Sequence, residues 1–140
     1  MDEGYKIVTI THPHSIFALQ TIADKLPNSF FIFVNRDKYD VGSELFKSNF
    51  TEGHEYSYDP EDILNFIDFY KTFCGLFKLK VPQKTMQLSF DRIINEPESV
   101  FTLVSEFSSI SLQPRVSNLP APRILSKSLF RDYFKNVIHN

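Results

Sequence analysis

The chain has 140 residues, a formal net charge of −2 and 42% hydrophobic residues, the size and apolar content of one domain that buries most of its hydrophobic surface. That charge excludes the globally basic surface of a nucleic-acid binder, and no window of about 18 uninterrupted apolar residues exists to span a bilayer. Fifteen Phe and six Tyr with no Trp give an aromatic core, while the lone Cys74 excludes an internal disulfide and argues against a cysteine-rich metal centre.

The amino terminus, MDEGYKIVTI, carries acidic residues where a secretory signal would carry basic ones. No targeting segment is read there, and the expected location is cytoplasmic. Lys6 to Thr11 is rich in β-branched residues and predicts a strand ended by His12-Pro13. Ser15 can cap a helix whose apolar positions Ile16, Leu19, Ile22, Ala23 and Leu26 recur at three and four, with Pro27-Asn28 as the stop.

Phe30 to Val34 is a continuous aromatic and β-branched run, the pattern of a strand buried on both faces. The run breaks at Asn35-Arg36-Asp37 and resumes with helical spacing at Val41, Leu45, Phe46 and Phe50, predicting a helix from Lys38 to Phe50. Arg36 therefore lies where a buried strand hands over to a helix. In open α/β sheets this is the carboxyl edge, where ligands bind, and a guanidinium beside helix N–H groups suits a phosphate. The structural alternative is an arginine that closes a strand and pairs with Asp37 or Asp40.

Asp59-Pro60-Glu61-Asp62 has the form of a helix start, with an N-cap, a first-turn proline and early carboxylates. Ile63, Phe66, Ile67, Tyr70, Phe73, Cys74 and Phe77 extend that helix to about Leu79, and the aromatic stripe reads as core. Thr85 to Phe90 is a third strand candidate, and Asn95 with Glu98 can form a capping box for a helix over Glu96 to Phe107. Residues 113 to 123 hold three prolines and predict a loop. A last helix is expected from Ser126 or Lys127 toward Val137. Its region collects Arg115, Arg123, Lys127, Arg131 and Lys135 against Asp132, so an anionic ligand would prefer the carboxyl-terminal part. His54 beside Glu52 and Glu55 has no second histidine at ligand spacing, and no metal site is expected.

Strands alternating with helices imply an α/β class with a mostly parallel sheet, one domain over residues 1–140. Three strands leave a sheet edge that a partner chain could cover.

The order Asn35-Arg36-Asp37-Lys38-Tyr39-Asp40, Asn49-Phe50, Gly53-His54, then Tyr56 to Asp62 resembles the sulfotransferases, in the branch with an RDPxD segment followed by NFxxGHxYSxDLEDI. Lys84 to Ile94 with Glu96-Pro97-Glu98 is similar to that family's strand, YEDL element and DPE helix start. Ser126 to Arg131 is similar to its late SRSVGR-type segment.

The resemblance implies a P-loop-like three-layer fold, here only its carboxyl-terminal part. It also implies sulfuryl transfer from 3′-phosphoadenosine 5′-phosphosulfate to a hydroxyl or amine of a small molecule, glycan or peptide. Carried over by motif, Arg36 and a helix serine would hold the 3′-phosphate, with Lys127, Ser128 and Arg131 around the same nucleotide. His12 or His14 would be the base that takes the acceptor's proton.

Two departures accompany the likeness. Glu44 stands eight positions beyond Arg36, where the family has its serine, with Ser43 the nearest hydroxyl. A PKSGTT-like loop for the 5′-phosphosulfate would belong before Lys6, and the four glycines are isolated. The expectation is thus a transferase only when completed by an amino-terminal part. The alternative is a non-catalytic nucleotide-binding or protein-interaction module on the same scaffold.

Overall fold

The computed structural model describes residues 7–48, 50, 53–112, 132 and 134–136. A 3-10 helix, Pro13–Ala18, runs into α1 (Leu19–Lys25), followed by β1 (Phe31–Asn35) and α2 (Lys38–Lys47). A 3-10 turn, Glu55–Tyr58, leads to the long α3 (Pro60–Lys80), and Pro82–Lys84 to β2 (Thr85–Ser89). Two helices, α4 (Phe90–Asn95) and α5 (Pro97–Ser108), complete the order. The chain is mixed α/β, with β1 and β2 as a two-stranded parallel sheet pairing Phe31 with Thr85 through Asn35 with Ser89.

Local chemistry sets these boundaries. Asp37 caps α2 by accepting from the N–H groups of Tyr39 and Asp40 at 3.0 and 3.1 Å. Asp59 does the same for α3 at Glu61 and Asp62, with Pro60 opening the helix as its sequence predicts.

Phe31 and Phe33 bury one face of β1 against Ile16, Leu19 and Ala23 and against Cys74 and Phe77 of α3, with Phe31 and Phe77 edge to face at 4.9 Å. A second core joins α2 to α3. Ile63 and Ile67 pack there with Phe134, which is fully buried, beside Val41, Leu45 and Phe46. Gly42 allows this approach, since a Cβ at that position would stand 2.8 Å from the Phe134 ring.

Four expectations are corrected. Within Lys6 to Thr11, the described residues from Ile7 onward form no strand. Ile7, Val8 and Ile10 are exposed, because β propensity makes no strand without a neighbour to pair with. The first helix begins as a 3-10 turn capped by His12, not at Ser15. The second ends at Lys47 and not Phe50, where the Ser48 N–H and hydroxyl satisfy the last carbonyls. The Asn95 capping box does not form either. Asn95 closes α4, and Pro97 in the first turn opens α5 after Glu96.

Among the described residues the sheet has two strands, fewer than the P-loop-like three-layer arrangement expected. Of the last helix expected, residues 132 and 134–136 are helical and the rest lies outside the described residues. No helix among the described residues is long and apolar enough to cross a membrane.

Candidate functional site

Because β1 and β2 are parallel and in register, Asn35 and Ser89 finish side by side. The next residue on each strand is Arg36 on one and Phe90 on the other. The Arg36 guanidinium lies over the Phe90 ring, 4.7 Å from its centre, a cation–π contact that fixes the cation at the carboxyl edge. Among the described residues neither Asp37 nor Asp40 forms an ion pair with Arg36. The helix N–H groups expected beside it at Tyr39 and Asp40 are engaged by the Asp37 carboxylate. What the carboxyl edge presents at this point is the Arg36 side chain, beside a helix start whose Tyr39 and Asp40 N–H groups are already taken.

Ser43 and Glu44 follow on α2. Ser43 is 2% exposed and its hydroxyl donates to the Asp40 carbonyl at 2.9 Å, so it is turned into its own helix. Glu44 accepts from Lys47 at 2.5 Å, which offsets its negative charge. Lys127, Ser128 and Arg131 lie outside the described residues.

His12 and His14 are brought together with a histidine that the sequence reading set aside. The His14 ring stands 5.2 Å from that of His12 and 5.4 Å from that of His54. The two predicted bases are not equivalent. His12 accepts from the His14 backbone N–H through Nδ1 at 3.3 Å, as cap of the 3-10 helix. Its lone pair is thus already engaged, and the neutral ring keeps its proton on Nε2.

His54 is half-buried, tilted against Phe50 at 4.3 Å between ring centres, with its Nδ1 3.1 Å from the Tyr56 hydroxyl. Burial raises the Tyr56 phenol above its ordinary pKa, so it stays protonated at neutral pH. Gly53, at φ +74°, makes the turn that leads into His54. That Gly-His pair was the available signal for His54; Phe90 had none beyond being aromatic. Among the described residues no group of three His, Cys, Asp or Glu side chains is arranged to hold a metal ion.

Contacts along α3 place the two clusters relative to each other. Phe77, near the end of α3, meets Phe31 at the start of β1. Asp68, nine residues earlier, pairs with Lys38 just beyond the other end of β1, at 3.4 Å. Later residues of α3 thus meet the start of β1 and earlier ones meet Lys38 beyond its end, so the two elements run antiparallel side by side. Phe69 and Phe66 of the same stretch contact Phe17 and Tyr56, which adjoin the histidines. The imidazoles and Arg36 thus belong to the same end of the molecule, the carboxyl edge of the sheet.

No protein-family model, curated protein or solved structure matches this chain.

Proposed function

We propose that this chain is a sulfotransferase-like α/β unit that binds a 3′-phosphorylated adenosine nucleotide at the carboxyl edge of its sheet. The observation that carries the reading is Arg36, held against Phe90 at the adjoining ends of two parallel strands. A planar, permanently charged guanidinium in that position can make paired hydrogen bonds to phosphate oxygens. In this reading the two strands form part of a P-loop-like three-layer sheet, and Lys127, Ser128 and Arg131 complete the nucleotide contacts. Ser43 would contribute only after giving up its bond to Asp40.

The chemistry is sulfuryl transfer from 3′-phosphoadenosine 5′-phosphosulfate to a hydroxyl or amine acceptor. The acceptor oxygen or nitrogen forms a bond to sulfur as the bridging sulfur–oxygen bond breaks, and the electron pair leaves on the 5′-phosphate. His14 is the better-placed base for the acceptor's proton, since the Nδ1 of His12 is engaged in capping. Efficient transfer also needs donors on the departing phosphate, so catalysis depends on a clamp that the described residues do not supply. One buried cysteine without a disulfide suits the reducing cytoplasm.

The non-catalytic interaction module is the second reading. It is favoured by the apolar Ile32 and Val34 side chains, 41% and 51% exposed on β1.

Calorimetry with 3′-phosphoadenosine 5′-phosphate and with adenosine 5′-monophosphate tests the first reading. Saturable binding that requires the 3′-phosphate supports it. Equal affinity for both nucleotides, or no binding of either, removes it.

A further inference from the structure

The last turns of α3 carry a surface that neither core uses. Leu76 and Leu79 are 62% and 81% exposed. A Cβ at Gly75 beside them would meet no atom within 4 Å, so among the described residues no neighbouring element stands over the helix there. Cations gather at the same place. Residues 69–90 hold Lys71, Lys78, Lys80 and Lys84 and neither aspartate nor glutamate, in a chain whose net charge is −2. Among the described residues none of these four lysines forms an ion pair. Lys78 and Lys84 reach neutral acceptors instead, the Gln87 side chain at 3.1 Å and the Ala23 carbonyl at 3.4 Å. The Lys84 bond brings the end of α1, with the exposed Lys25 and Leu26, to the same end of the molecule. The carboxylates of these two helices that lie closest in sequence are engaged, Asp24 with Gln20 and Asp68 with Lys38.

We infer that this end of α3 docks on an anionic membrane surface, with Leu76 and Leu79 entering the headgroup boundary and the lysines around them facing the lipid phosphates and carboxylates. Composition selects a lipid surface over a protein partner. Protein interfaces are depleted of lysine and anchored by Tyr, Trp and Arg, whereas every cation here is a lysine and the most exposed apolar groups are leucines. A lysine is a point charge on a flexible stem and suits a mobile layer of headgroups, while a fixed peptide carboxylate is met better by the arginine fork. Phe77, between the two leucines in sequence, meets Phe31 at the start of β1, so the surface lies at the amino edge of the sheet. Docking there leaves Arg36 at the opposite edge open, and the inference stands whether or not a nucleotide binds.

Co-sedimentation of the full chain with vesicles tests this, using phosphatidylcholine alone and phosphatidylcholine with phosphatidylserine in a two-to-one ratio. The expected result is binding to the mixed vesicles alone, weakened by added salt. Lys80→Gln is expected to lower the partition coefficient about fivefold and Leu79→Ser about tenfold. Val34→Ser, at an exposed apolar site on β1, leaves it unchanged. All three side chains are exposed, so the variants are expected to keep the wild-type circular dichroism. Failure of the wild type to bind either vesicle, or equal binding to both, overturns the inference. So does mixed-vesicle binding that Lys80→Gln and Leu79→Ser leave unchanged, or that Val34→Ser weakens as much as Leu79→Ser. A wild type that ignores the vesicles yet binds poly-glutamate overturns it in favour of an acidic protein partner.

Discussion

Arg36 and Phe90 are 54 positions apart in the chain, yet the guanidinium of one lies 4.7 Å from the ring centre of the other. Each is the residue after the last strand position, so the parallel register of β1 and β2 is what brings them together. A half-buried cation–π pair contributes on the order of 1 kcal/mol. Its larger effect is to hold an otherwise flexible side chain in one place. Phe90→Leu is expected to weaken 3′-phosphoadenosine 5′-phosphate binding about fivefold, consistent with a loss of about 1 kcal/mol, while Phe90→Tyr retains it. Calorimetry on both variants checks this.

Phe134 is fully buried between α2 and α3 and touches the Gly42 position. Phe134→Ala leaves a cavity in the second core and is expected to cost about 3–5 kcal/mol in urea unfolding. Gly42→Ala drives a methyl to within 2.8 Å of the same ring. Overpacking costs about 1–3 kcal/mol against a helix-propensity gain of up to about 1. A net loss is expected, and the double variant is expected to lose less than the sum of the two.

Ser57 is buried, and among the described residues its hydroxyl has no hydrogen-bond partner. An unsatisfied buried hydroxyl costs about 1–3 kcal/mol. Ser57→Ala is therefore expected to raise the denaturation midpoint without changing the slope. Ser43→Ala, which loses its bond to Asp40, is expected to lower it.

Burial pushes the Cys74 thiol up to about 11 from an ordinary value of 9.0. Burial raises Tyr70 as well, with a further contribution from Cys74, and it raises Tyr56. In each case the unfolded state ionises at lower pH than the folded one. The stability tied to the neutral forms is fully present below pH 9.0 and declines as pH rises toward about 11, by up to about 1.4 kcal/mol per pH unit for the thiol. Urea midpoints measured from pH 8 to 11 should fall. Thiol reagents at pH 8 should label Cys74 at the rate of global opening.

The helix at Asp59-Pro60, with its spacing along Ile63 to Phe77, was legible, whereas the Ser15 and Asn95 caps did not form. The strands read as Phe30 to Val34 and Thr85 to Phe90 form at Phe31–Asn35 and Thr85–Ser89, with Phe90 opening α4 and β1 buried on one face and not on both. Lys6 to Thr11 had the same composition, yet its described residues remain unpaired. Composition reports propensity, whereas a strand also needs a neighbour's backbone. Arg36 was read correctly as a strand-to-helix junction residue. Its partner could not be read, because contact across two strands depends on register. The same limit hid His54, whose approach to His14 depends on how Gly53 turns the chain. The difference between His12 and His14 rests on one backbone bond that spacing cannot show.

The most direct measurement is the affinity of 3′-phosphoadenosine 5′-phosphate for the wild type, Arg36→Ala and Arg36→Lys at constant salt. The account predicts saturable binding by the wild type, a loss of at least tenfold in Arg36→Ala, and partial recovery in Arg36→Lys, which restores charge without the planar fork. Wild-type binding that survives Arg36→Ala unchanged, or a wild type that binds no nucleotide, would contradict it.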